Sequence, residues 1–186
     1  MPLIPIHTKA TAPEKSKPLL EAVEKKYGMI PNILAEMAEA PNVLKAYMEM
    51  AGNVAAGSLS PLEVQVVQIT TARLNACQYC VAAHSAMSEK IIPSAILEAL
   101  KTGVPTSDRK LEALRNFTQA IVRKQGWADE ADVQAFVDAG YAKAQIAEVV
   151  LAIAQKMFSN YFNHIVGTPV DQAFQAHVVQ GLKKAG

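Results

Sequence analysis

The chain has 186 residues, a net charge of +1 and a pI near 7.8, with 51% hydrophobic residues. That length suits one domain with a real core, and the apolar share leaves surface for a subunit interface besides. So even a charge balance supplies no footprint for nucleic acid or an anionic membrane.

Residues 1–13 carry three prolines and no helical period, so they read as an extended arm ahead of a helical domain over 14–186. Leu19, Leu20, Val23 and Tyr27 recur at helical spacing, and Gly28 is placed to end that helix. Asn32 is the expected cap of a short segment over 33–40, and Pro41 opens a helix ending near Gly57. Ser60-Pro61-Leu62-Glu63 is a capping box with proline at the first helical position, and its helix runs to a break at Asn75. Asn75 is then expected to cap the next helix, which reaches about Lys90. Pro93 restarts the chain before Gly103, Ser107 caps a helix ended by Gly126, and Asp129 caps another ended by Gly140.

The longest helix is expected over 142–166. Between Val149 and Phe158 it is apolar on most faces, the pattern of a helix buried among others. Its apolar run is too short to span a bilayer. Thr168-Pro169-Val170-Asp171 caps a final helix, and 181–186 is expected to fray. No strand period or repeat appears. The expected fold is therefore all-α, a single-domain bundle of roughly eight to ten helices.

The chemistry concentrates in Asn75 to His84. Cys77 and Cys80 are the only cysteines, and with His84 they stand at i, i+3 and i+7, one stripe of a helix. Backbone N–H groups and the dipole at a helix start favour thiolates, which on local grounds points to Cys77 as the more acidic. His84, one turn beyond Cys80, can take or relay a proton. A thiolate with a second thiol in reach is equipped for redox chemistry. Three blander readings stand beside it. A structural zinc site needs four ligands, one more than the two cysteines and histidine of this stretch, and His164 lies far along the chain. A structural disulfide across so short a loop adds little stability. Buried inert cysteines are the third. Two thiols in a Cys-x-x-Cys and no visible export leader make the cytoplasm the expected location.

The pattern Leu59-Ser60-Pro61-x-Glu63, an apolar helix, then Leu74-Asn75-x-Cys77-x-Tyr79-Cys80-x-Ala82-x-His84 resembles the alkylhydroperoxidase D-like (carboxymuconolactone decarboxylase) family. Tyr27 to Asn32, Ser159 to His164 and Gly167 to Asp171 resemble its peroxidase-related branch, so the likeness spans nearly the whole chain. The resemblance implies an all-helical fold, no cofactor, and thiol-dependent reduction of alkyl hydroperoxides. It implies Cys80 as the peroxide-attacking thiolate, Cys77 as the resolving thiol and His84 as the proton-transfer group. Gln65 stands where the family carries a relay glutamate, and Tyr79 where its prototype carries a second histidine. Glu63 lies two residues before Gln65 on another face of the helix, and its expected role is in the capping box. Asn160, Asn163 and His164 are implied pocket residues, although a histidine near a helix C-terminus also suits the dipole.

The expected function is that of a thiol peroxidase or dithiol oxidoreductase. A thioredoxin-like or lipoyl protein would be its reductant. A carboxymuconolactone decarboxylase-type enzyme and a non-catalytic redox sensor are the alternatives. The family further implies a trimer or hexamer, for which Met37, Met48 and Met50 offer adaptable apolar surface.

Overall fold

A computed structural model describes residues 3–182, and among these every regular element is helical. A 3-10 turn, Glu14–Ser16, leads into α1 (Lys17–Tyr27), α2 (Asn32–Met37), α3 (Pro41–Ala55) and α4 (Pro61–Leu74). Then follow α5 (Gln78–Ser88), α6 (Ser94–Thr102), α7 (Arg109–Arg123), α8 (Glu130–Asp138) and α9 (Gln145–Val166). The last element is a 3-10 run, Gln172–His177, where the sequence suggests a full helix. Of the expected frayed tail, residues 183–186 lie outside the described part, as do residues 1 and 2 of the arm.

The helices surround two hydrophobic clusters with α4 shared between them. One gathers α4, α6, α7, α8 and the first half of α9 around Val66, Ile69, Leu114 and Phe136. The other gathers α1, α2, α3, α5 and the C-terminal 3-10 run around Leu20, Met37, Leu44 and Phe174. Met37 is thus core, only 1% exposed, while Met48 and Met50 are partly buried.

Helix α4 begins as its sequence dictates. The Ser60 side chain accepts from Glu63 N–H at 3.3 Å, and Glu63 accepts from Ser60 N–H at 2.8 Å. From Val66 to Ala72 it is buried on all sides, because α5, α6, α7 and α9 each pack against it. Gln68 fixes α9 by donating to the Ala152 carbonyl and to Gln155 Oε1 at 2.9 Å.

Two helix starts depart from the sequence reading. Asp108, rather than Ser107, caps α7 by accepting from Leu111 N–H. Asn32 is the first residue of α2 rather than its cap. The orphan Asn32 N–H donates instead to Asp171, at 3.1 and 3.2 Å, from the far end of the chain. The arm is not wholly free, since His7 bonds to Thr11 and to Glu39 on its own subunit, leaving Leu3 and Ile6 exposed.

Helix α9 is not buried on most faces as expected. Its second half turns Gln155, Lys156, Ser159, Asn160 and Asn163 inward. Val150, Phe158, Tyr161 and Ile165 face outward, Ile165 being 73% exposed. An apolar sequence here does not mean a helix surrounded by core; the polar stripe is what the neighbouring site requires.

Candidate thiol site

The chain breaks between α4 and α5 by a route that sequence rules did not foresee. Asn75 closes α4, and Ala76 takes a positive φ of 55°, a conformation unusual for a residue with a Cβ. Cys77 therefore becomes the residue just before α5, not a member of its first turn. The kink places Cys77 Sγ 2.6 Å from Cys80 Sγ, both as thiols and both buried. The Cys77 thiol donates to Cys80, with Asn163 Oδ1 at 3.4 Å as its other acceptor.

Their acidities separate accordingly. Giving its proton toward Cys80, in a buried setting, pushes the Cys77 thiol far up. Burial alone would raise Cys80 too. The Cys77 hydrogen bond, the Lys156 charge and the side chains of Asn160 and Ser159 outweigh it and hold Cys80 at about 7. The dipole argument for Cys77 is outweighed because this thiol, at the N-cap of α5, is buried and gives its proton to Cys80.

His84 is half-buried on α5, its Nδ1 2.8 Å from Gln65 Oε1 and its Nε2 2.5 Å from Lys156 Nζ. An ammonium has no lone pair, so Nε2 accepts and the ring proton sits on Nδ1, donated to Gln65. Burial, then the Lys156 charge, push His84 well below its ordinary value. The imidazole is neutral at pH 7.

Lys156 was missed by sequence reasoning, although a signal existed. It is the lone charged residue of α9 between Glu148 and His164, on one face with Ser159, Asn160 and Asn163 at helical spacing. Asn160 is fully buried and accepts from Asn75 Nδ2 at 2.9 Å. Its own amide nitrogen has no partner within strict hydrogen-bond geometry.

Tyr79 lines the cavity wall beside Cys80. Its hydroxyl donates to Asp171 Oδ2 at 2.6 Å and accepts from Ile33 N–H at 3.3 Å. Burial, then the Asp171 acceptor, push the phenol far up, so it stays neutral.

These groups form the floor of a cavity of about 550 Å³, counting the part open to solvent. Cys80, His84, Lys156, Gln155 and Ser159 lie at the polar end; Tyr27, Tyr47, Tyr79, Phe174 and Met87 supply much of the apolar wall. Two sequence candidates stand elsewhere. Glu63 is engaged with Ser60 and, at 3.3 Å, with Lys110. His164 is exposed on α9. Among the described residues no group of three or more His, Cys, Asp or Glu is placed to hold a metal ion. No helix there is long and apolar enough to cross a membrane.

Residues 41–92, from α3 through the thiol helix, match the carboxymuconolactone decarboxylase family. An uncharacterised peroxidase-related protein from Ralstonia eutropha JMP134, with an alkylhydroperoxidase AhpD core, shares the fold with a TM-score of 0.83. It is 20% identical over 91% of this chain and 92% of its own. The fold is alkylhydroperoxidase D-like, and the stretch 41–92 matches the carboxymuconolactone decarboxylase family. A second likeness is an uncharacterised peroxidase-related protein from Silicibacter sp. TM1040, with a TM-score of 0.79 and 19% identity over 94% of this chain and 93% of that one. A variant of the debrominase Bmp8 in complex with 2,3,4-tribromopyrrole aligns with a TM-score of 0.78 and 17% identity, covering 94% and 95% of the two chains. No match is found among curated proteins. In the AhpD-like frame, the all-helical expectation holds, and the two thiols lie side by side.

Proposed function

We propose that this AhpD-like chain is a thiol peroxidase that reduces organic hydroperoxides and is recycled by an external dithiol. The observation that carries the reading is the 2.6 Å approach of a buried resolving thiol to a cavity-lining thiol of lowered pKa. The Cys80 thiolate attacks the terminal oxygen of R–O–O–H. The S–O bond forms as the O–O bond breaks, and the leaving alkoxide takes a proton from the polar floor. Sulfur is oxidised by two electrons to the sulfenic acid. Cys77 then attacks that sulfur, its proton leaves with the hydroxyl as water, and a disulfide results. A thioredoxin-like or lipoyl dithiol restores both thiols by exchange. The cavity far exceeds hydrogen peroxide in size, and its apolar wall supports an organic substituent on the substrate.

One equivalent of an alkyl hydroperoxide should convert the protein to an intramolecular disulfide, seen by mass spectrometry as loss of two hydrogens. With excess dithiol, peroxide should be consumed catalytically. Thiols left free after peroxide treatment would sink the reading; a disulfide formed without turnover by any dithiol would favour a redox sensor.

The aromatic wall favours a second reading, reductive dehalogenation of a halogenated ring, the chemistry named for Bmp8. Cys80 would take the halogen from the ring, the ring would gain a proton, and Cys77 would expel halide as the disulfide forms. Halide release from a bromopyrrole without any peroxide consumption identifies that reaction.

We further propose a homo-oligomer, a trimer or trimer-based hexamer, assembled through the outward apolar stripe of α9. Val150, Phe158, Tyr161 and Ile165 lie along one helix face, more than a monomer ordinarily leaves to water. Light scattering coupled to size exclusion should give a multiple of the 20.0 kDa chain mass, lowered by Ile165→Asp. A monomeric mass for the wild type refutes the assembly.

A further inference from the structure

Lys156 is only 1% exposed, and burial of an ammonium is costly unless something compensates it. Its hydrogen-bond partner is His84 Nε2, a neutral acceptor that leaves the charge unbalanced. Among the described residues no carboxylate lines the cavity into which Lys156 projects. Cys80 lines the same floor and is the group there that can ionise to an anion at little cost. Around that sulfur stand the Cys77 thiol, the neutral His84 and Tyr79 on α5, and Lys156, Ser159 and Asn160 on α9. Asp171 is reached only through the Tyr79 hydroxyl. Lys156 supplies the sole positive charge in that set.

We propose that Lys156 is the group that activates Cys80, forming a buried thiolate–ammonium pair, and that His84 serves to hold Lys156 in place rather than to act as the base. The pair forms when the Cys80 S–H loses its proton to solvent beside an ammonium already in place, so its formation follows pH. His84 has its Nδ1–H committed to Gln65 and its lone pair committed to Lys156, so its geometry is that of a clamp between α4 and α9. An acceptor amide at position 65 fits this role, because it fixes the ring orientation without adding a charge. The Asn160 amide, short of a partner in the thiol state, lies where a sulfur anion gains a donor.

The inference rests on Cys80 being the reactive thiol of the proposed reading, yet its test consumes no peroxide. Alkylation of Cys80 by iodoacetamide, located by peptide mass mapping, is followed against pH. In wild type the rate should rise to a plateau with a midpoint near 7. Lys156→Met should move the midpoint up by about one to three pH units, slowing alkylation at pH 7 by about 5- to 500-fold. Lys156→Arg should keep it low. His84→Gln retains a neutral acceptor for Lys156 and should stay within about half a unit of wild type, whereas a catalytic base would leave the midpoint raised. An unmoved midpoint in Lys156→Met overturns the proposal, as does a shift in His84→Gln as large as that of Lys156→Met. Should Lys156→Met fail to fold, the Lys156→Arg and His84→Gln pair still decides between cation and imidazole. Failure of wild type to consume peroxide touches the peroxidase reading alone, and an unmoved midpoint touches only Lys156.

Discussion

Replacing Cys80 with serine is expected to remove peroxide consumption, a fall of about 10³-fold or more. The physical reason is the anion. At pH 7 about half the Cys80 side chains are thiolate, given a pKa of about 7, whereas a serine hydroxyl there is not ionised at all. Cys77→Ser should behave differently. The attack on peroxide survives, because the attacking sulfur and its cavity remain. The sulfenic acid then has no resolving thiol and accumulates, where it is trapped by dimedone and detected by mass. Losing the sulfhydryl donor also withdraws one support of the Cys80 thiolate, so the first step slows modestly. Stopped-flow peroxide consumption and product mass separate these outcomes. A Cys80→Ser protein that keeps turning over substrate would point to thiol-independent, decarboxylase-type chemistry.

The second large effect is on stability, at Asp171. This carboxylate is 7% exposed and joins three distant parts of the chain. It accepts the Tyr79 hydroxyl from α5 at 2.6 Å and the first N–H of α2 from Asn32. Asn32 Nδ2 in turn donates to the Pro169 carbonyl, and Thr168 donates to buried Glu36. Asp171→Ala leaves a buried hydroxyl and a partly buried helix N–H without an acceptor. Each such group costs about 1–3 kcal/mol, so urea unfolding should show a loss of about 2–5 kcal/mol. Tyr79→Phe removes one donor and leaves the other bonds standing, so about 1 kcal/mol is expected. The double variant should cost less than the sum, because both singles break the same contact. An Asp171→Ala protein within about 0.5 kcal/mol of wild type would show that the segment is held by packing instead. Because Tyr79 and Phe174 line the cavity and meet edge-to-face at 6.2 Å, loosening this anchor should also slow Cys80 alkylation or broaden its pH profile.

Much of this molecule is written locally in the chain. The capping box at Ser60 and Glu63, the stop at Gly103 and the stripe on α7 depend on neighbours within a few residues, so they are legible without the fold. The Cys-x-x-Cys-x-x-x-His spacing is of the same kind, and so is the all-helical class.

What lay beyond the sequence is what distant segments impose on one another. The positive φ at Ala76 has no residue signature, since alanine rarely adopts it; packing of α5 under α4 fixes it, and with it which thiol donates to which. A lone lysine on α9 reads as a solvated charge until α4 and α5 close over it. Asp171 reads as the cap of the segment that follows, yet it serves a helix that starts at Asn32. The apolar face of α9 reads as core, yet the polar face turned inward because the thiol site lay on that side. Hydrophobic periodicity says that a face will be buried, but it cannot say against what, and a site made from four separated segments is decided only when they meet.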